Sequence, residues 1–93
     1  MKINKISSSR IDNVDFNNLL FGRNFSDHML ICHYKNNSWG DPEIKPYSSI
    51  PMTPGTQVLH YGQSIFEGMK AFKNQEDEIL LFRKNDNFER LNR

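Results

Sequence analysis

The sequence predicts an α+β domain in which an antiparallel sheet of about four strands packs against two helices, and three observations carry that expectation. Short apolar or alternating runs occur in two pairs, each pair separated by turn-forming residues, which is the pattern of a hairpin. Between the pairs lies a stretch whose apolar residues recur at helical spacing, and a second such stretch closes the chain. With 37% hydrophobic and 25% charged residues among 93, the chain suits one small domain. A domain of this size buries roughly 60–65% of its unfolded-chain surface, enough for a thin core.

Residues 1–18 are polar with isolated Ile, Val and Phe, so 1–20 reads as an arm whose order depends on what it packs against. Over 29–34, Met29, Ile31 and His33 alternate with Leu30, Cys32 and Tyr34, a strand pattern that breaks at Lys35-Asn36-Asn37-Ser38. Glu43-Ile44-Lys45-Pro46-Tyr47 returns antiparallel to it. Pro42 and Pro46 predict an edge position for this return strand, because neither can donate a ladder hydrogen bond.

Thr53-Pro54-Gly55-Thr56 offers a polar cap and a proline suited to a first helical turn. Val58, Tyr61, Ile65, Phe66 and Met69 then predict one apolar stripe on a helix of about three turns, ended by Gly68 in the left-handed conformation. Residues 69–72 and 78–83 predict a second hairpin around Asn74-Gln75-Glu76-Asp77. Asn85 or Asp86 is the expected cap of a last helix, with Glu89 at capping-box distance from Asp86 and Phe88 and Leu91 on one face. A helix of about two turns is marginal in water, so the expectation is a domain truncated in its last helix.

A formal charge of +1, with basic and acidic residues interleaved, gives no electrostatic reason to invoke nucleic acid or an anionic membrane. Cys32 is the single cysteine, which excludes an internal disulfide framework and a thiolate zinc cluster and suits a reducing compartment. No apolar stretch has the length of a signal peptide or a membrane helix, and the predicted address is cytoplasmic. His28, His33 and His60 are too scattered to predict a metal site, and the sequence has no glycine-rich phosphate loop or nucleophile elbow. No catalytic residue is assigned to the chain itself.

Two stretches are dense in aromatic, glycine and ionisable residues: Phe21-Gly22-Arg23-Asn24-Phe25-Ser26-Asp27-His28-Met29, and Leu59-His60-Tyr61-Gly62-Gln63-Ser64-Ile65-Phe66-Glu67-Gly68-Met69-Lys70-Ala71-Phe72. Both resemble the branched-chain amino acid aminotransferases, class IV enzymes that depend on pyridoxal phosphate. Ser38-Trp39-Gly40-Asp41-Pro42-Glu43-Ile44-Lys45-Pro46-Tyr47 and the later Leu81-Phe82-Arg83 and Asn87-Phe88-Glu89-Arg90-Leu91-Asn92-Arg93 resemble the same family's N-terminal domain, in the same order. Lys84 departs from it, since many relatives carry proline there, but it does not touch the proposed ligands.

The resemblance implies that 21–93 is the small two-layer N-terminal domain of the D-amino acid aminotransferase-like fold, fold type IV. A larger domain, absent from this chain, would supply the Schiff-base lysine. It implies that Arg90 contacts the phosphate of pyridoxal 5'-phosphate, a role suited to a guanidinium near the start of a helix. Phe21, Tyr61 and Phe66 resemble the aromatic walls of the pocket for branched aliphatic side chains, with simple core packing as the plainer reading.

Lys70, by the same resemblance, is not the Schiff-base lysine but a strand residue or a partner for an acid such as Glu67. Glu67 is expected to make helix-terminal hydrogen bonds, and Asp27 and His28 to organise the turn into the first strand. The implied reaction moves the amino group of leucine, isoleucine or valine to 2-oxoglutarate, in a homodimer or higher homo-oligomer, with this chain alone inactive. The alternatives are an aminodeoxychorismate lyase or D-amino acid aminotransferase of the same superfamily, and a noncatalytic binding or assembly module.

Overall fold

A computed structural model describes residues 1–93, which divide into two units, Met1–Pro51 and Met52–Arg93. The first unit contains β1 (Lys2–Ile3), one 3-10 turn (Ile11–Asn13), β2 (His28–Ile31), β3 (Tyr34–Lys35), β4 (Ser38–Trp39) and β5 (Glu43–Pro46). The second contains α1 (Gln57–Tyr61), β6 (Ala71–Lys73), β7 (Ile79–Leu81) and α2 (Lys84–Leu91). The class is α+β with antiparallel hairpins, as predicted. The strands form three separate small sheets rather than one.

The first hairpin turns on Asn36 and Asn37, whose φ angles of 53° and 57° are the paired positive values of a two-residue turn that matches the twist of its strands. Asparagine tolerates that conformation better than most residues. The ladder is not continuous. Tyr34 pairs with Trp39, and Ile31 pairs with Glu43, so three steps on the outgoing strand face four on the return.

That extra residue is a bulge at 40–42, where Gly40 N–H donates to the His33 carbonyl at 2.8 Å and Pro42 has no N–H to offer. It explains why the single strand expected over 29–34 is split into β2 and β3. Beyond the bulge, β2 and β5 run antiparallel from Ile31 opposite Glu43 to His28 opposite Pro46. Tyr47 N–H extends the ribbon to the Asp27 carbonyl at 2.9 Å, and the Phe25 and Tyr47 rings stack with centroids 4.9 Å apart.

The edge position expected for the return strand is corrected, because β5 is the centre of a three-stranded sheet in the order β1, β5, β2. The parallel β1 pairs Lys2 with Glu43 and Ile3 with Ile44. Pro42 joins this ladder through its carbonyl, which accepts Lys2 N–H at 3.1 Å, and Pro46 lies beyond the reach of β1. Neither proline is asked to donate.

The N-terminal residues are tied to the sheet at three further points. Asn4 Nδ2 donates to Glu43 Oε1 at 2.6 Å, and Ile6 N–H donates to His28 Nε2 at 3.1 Å. Asp27 receives the Ser9 hydroxyl on Oδ2 at 2.6 Å, and the backbone N–H and Nε of Arg10 on Oδ1 at 3.2 and 3.0 Å. Arg10 Nη2 also donates to the Ser26 carbonyl at 2.9 Å.

In the second unit, α1 is shorter than the three turns expected. Gly62, at φ 60°, ends it in the left-handed conformation, so Gly62 rather than Gly68 is the terminator. Ile65, Phe66 and Met69 therefore fall after the helix and do not share a helical stripe with Val58 and Tyr61. The second hairpin is as expected, with Phe72 opposite Leu80. Its turn is fastened by Asn74, whose side-chain oxygen accepts the N–H groups of Glu76 and Glu78 at 3.0 and 2.8 Å.

The cap of α2 lies two residues before Asn85 and three before Asp86, the two expected caps. Arg83 is the entry residue at φ 51°, without a side-chain cap, and Lys84 takes the first helical position. Asp86 instead sits inside the first turn, where its negative charge is favourable beside the positive end of the helix dipole and pairs with Arg83.

No residue of either unit is fully buried. The thin core expected from length is therefore absent within the chain. Backbone ladders and polar clamps order it instead.

Asp27 is the clamp of the first unit. The Ser9 hydroxyl, and then Arg10, hold its carboxyl below the usual carboxylate value. A depressed carboxylate contributes order that is present above the ordinary value of about 4 and is lost as pH falls through the folded one. The arm should accordingly loosen in acid. Asp27→Asn should loosen it at neutral pH, seen as faster amide exchange at Ile6 and Arg10 with the β2–β5 amides unchanged.

Candidate functional site

The densest polar arrangement in the second unit joins the segment 66–68 to one face of α2. Asn87 and Arg90 are three residues apart on that helix and so lie on the same face. Asn87 Nδ2 donates to Glu67 Oε1 at 3.0 Å and to the Gly68 carbonyl at 2.9 Å. Arg90 Nε donates to Glu67 Oε2 at 2.7 Å, and Nη2 donates to Oε1 in a second, short contact. Gly68 N–H adds a further donor to Oε1 at 3.1 Å.

Both oxygens of Glu67 are thus engaged, and Arg90 meets them as a fork. The exposures are unequal, with the Glu67 side chain 11% exposed and that of Arg90 67%. Arg90, followed by Asn87, holds the Glu67 carboxyl down to about 2, and the same pairing raises the Arg90 guanidinium above its ordinary value. The acid stays ionised throughout the physiological range. Nη1 of Arg90 makes no hydrogen bond within the chain, on a side chain that is largely exposed.

Arg90 lies in the last turn of α2, not near its start, because the helix begins at Lys84. The positive helix end therefore does not contribute at Arg90, and its capacity to hold an anion rests on the guanidinium alone. Phe66 precedes Glu67 directly and is 95% exposed, so the Glu67 clamp fixes the backbone from which this aromatic projects. Tyr61 is the last residue of α1, exposed beside the Gly62 turn.

Phe21 belongs to the first unit. It is wholly exposed on a turn closed by Arg23 N–H to the Leu20 carbonyl at 3.1 Å, with Gly22 at φ 72°. Core packing does not describe Phe21, Tyr61 or Phe66 within this chain. The network brings together Phe66 and Arg90 through Glu67.

Lys70 is not the partner of Glu67, whose oxygens are taken by Arg90, Asn87 and Gly68, and Glu67 ends no helix. The sequence reading missed the Glu67–Arg90 pair. Its one available signal was the spacing of Asn87 and Arg90, two polar residues on one helical face, which points to a shared partner without naming it.

No protein-family model matches the chain. Individual proteins do. Branched-chain-amino-acid aminotransferase 2 of Bacillus subtilis is 45% identical over 89 residues, covering 95% of this chain and 24% of the relative. Over nearly all of its own length the chain is thus similar to proteins named as branched-chain-amino-acid aminotransferases. The Monosiga brevicollis family member is 47% identical over 88% of the chain and 21% of its own length. The cytosolic family member of Saccharomyces cerevisiae is 42% identical over 81% of the chain and 20% of its own. The chain thus spans a quarter or less of the length of these relatives. No helix of the chain is long and apolar enough to cross a membrane.

The titration of Glu67 tests the site geometry directly. Because its folded value is depressed, the clamp should be fully formed above the ordinary value of 4.5 and open only as pH falls through about 2. A carbon-13 titration of the Glu67 carboxyl should give a midpoint near 2, rising toward the ordinary carboxylate range in Arg90→Ala, where Asn87 and the Gly68 N–H still lower it.

Proposed function

We propose that the chain is part of an enzyme that transfers the amino group of leucine, isoleucine or valine to 2-oxoglutarate, yielding the branched-chain 2-oxo acid and glutamate. The observation that carries this reading is the run of 45% identity over 95% of the chain to a protein named as a branched-chain-amino-acid aminotransferase. In this reading the chain forms the small domain of the D-amino acid aminotransferase-like fold, and the lysine that binds the cofactor lies in a larger domain outside residues 1–93. The assembly is a homodimer or higher homo-oligomer in the cytoplasm. The exposed apolar residues of both units, 25 large side chains in all, are consistent with a chain designed to be covered by further protein.

The residues present fit pyridoxal 5'-phosphate at its phosphate end. Arg90 already takes one carboxylate as a fork, and its Nη1, without a partner in the chain, retains donors for a phosphate oxygen. When bound, the cofactor supplies an electron sink for the carbon from which the amino group departs. Arg90 would hold the phosphate. Phe21, Tyr61 and Phe66 would form apolar walls that accept a branched aliphatic side chain and exclude water from it, with the Tyr61 hydroxyl able to orient a polar group.

Lys70 has no place in this chemistry. In the full-length gene product, leucine and 2-oxoglutarate should give glutamate at a rate that Phe66→Ala lowers by roughly 10–100-fold through loss of pocket wall. Absence of leucine-dependent glutamate formation by the cofactor-loaded protein would sink the proposal. Lys70→Ala should retain the visible absorbance of the lysine-linked cofactor; its loss in a folded protein would overturn the assignment of that lysine to a larger domain.

A further inference from the structure

We propose that Glu67 is the positioning residue for Arg90, a carboxylate fixture that presents the guanidinium to the cofactor phosphate in one orientation. The inference rests on the phosphate role proposed for Arg90 and extends it to a residue that never touches the cofactor.

Two arrangements could explain an acid on a phosphate-binding arginine. In one, the acid competes with the phosphate and must leave; in the other, it is a support that stays. The contacts favour the support. Glu67 Oε1 receives Asn87 Nδ2 and Gly68 N–H as well as Arg90, so departure would break bonds to three residues. Its side chain is the covered member of the pair, whereas Arg90 is the outward one. Asn87 completes the brace by binding the Gly68 carbonyl, which fixes the backbone that carries Glu67.

The bonded edge of Arg90 is Nε and Nη2, and the free edge is Nη1. An unsupported arginine on an exposed helix face samples many rotamers, and ordering it when the phosphate arrives would weaken binding. Glu67 imposes that order in advance. Its negative charge opposes an anion nearby, so support and repulsion act against each other, and measured affinity decides which is larger.

The experiment uses the cofactor-free form of the full-length gene product. It compares affinity for pyridoxal phosphate with affinity for pyridoxal, which has no phosphate, by equilibrium dialysis. The ratio isolates the phosphate contact from the rest of the site. Glu67→Ala should lower the ratio by about tenfold, the scale expected when one long side chain is released from its preordered state. Asn87→Ala, which leaves both charges in place, should lower it by a smaller factor in the same direction. Glu67→Gln, with one acceptor oxygen retained, should fall between wild type and Glu67→Ala.

An unchanged or increased ratio in Glu67→Ala and Asn87→Ala would overturn the proposal, an increase identifying Glu67 as a competitor. A wild-type protein that binds neither compound would instead defeat the cofactor reading itself. A wild type that prefers pyridoxal phosphate, with that preference kept in Arg90→Ala, would remove the role of Arg90 and with it that of Glu67.

Discussion

Two carboxylates, Asp27 in the first unit and Glu67 in the second, hold together segments far apart in sequence, and each does so by accepting several hydrogen bonds at once. Their importance follows from burial. With no side chain fully removed from water, the hydrophobic effect that dominates most small domains acts weakly within this chain. Short ladders bring strands together, but a two- or three-residue strand pair is marginal by itself. Charge-assisted hydrogen bonds to a largely covered carboxylate supply the geometric definition that packing would otherwise provide.

In the second unit this constraint reaches the residues proposed for the site. Phe66, Glu67 and Gly68 are consecutive, so fixing Glu67 against α2 also fixes the direction in which the chain runs past Phe66. Arg90 is fixed by the same contact. A residue proposed to shape a substrate pocket and one proposed to hold a cofactor phosphate thus share a single anchor. Arg90 and Asn87 hold the Glu67 carboxyl down to about 2, so the pair keeps both charges across the physiological pH range and does not act as a titrating switch.

The family relation and the local structure bear on different questions. Identity of 45% over 95% of the chain establishes kinship, and the coverage of 24% of the relative shows how much of such a protein lies beyond these residues. The local structure shows how the chain's own side chains are held. Arg90 has an oriented, largely exposed side chain, whereas Tyr61 ends α1 and Phe21 lies on a short turn, both of them exposed.

What the sequence by itself determined was everything controlled by near neighbours in the chain. The Asn36-Asn37 turn, the Asn74–Asp77 turn, both hairpins and the existence of α2 follow from local backbone preference and alternation. Local reasoning also had its errors. Helical spacing through Met69 suggested a long helix, but Gly62 offered an earlier left-handed stop, and periodicity cannot choose between two glycines. Only the tertiary structure decided that β1 covers the far edge of β5, that Gly40 to Pro42 absorbs an extra residue, and that Glu67 meets Arg90 across 23 positions. Those outcomes depend on which distant donors reach a given strand edge or carboxylate, and nothing in the identity of the residues alone encodes that distance.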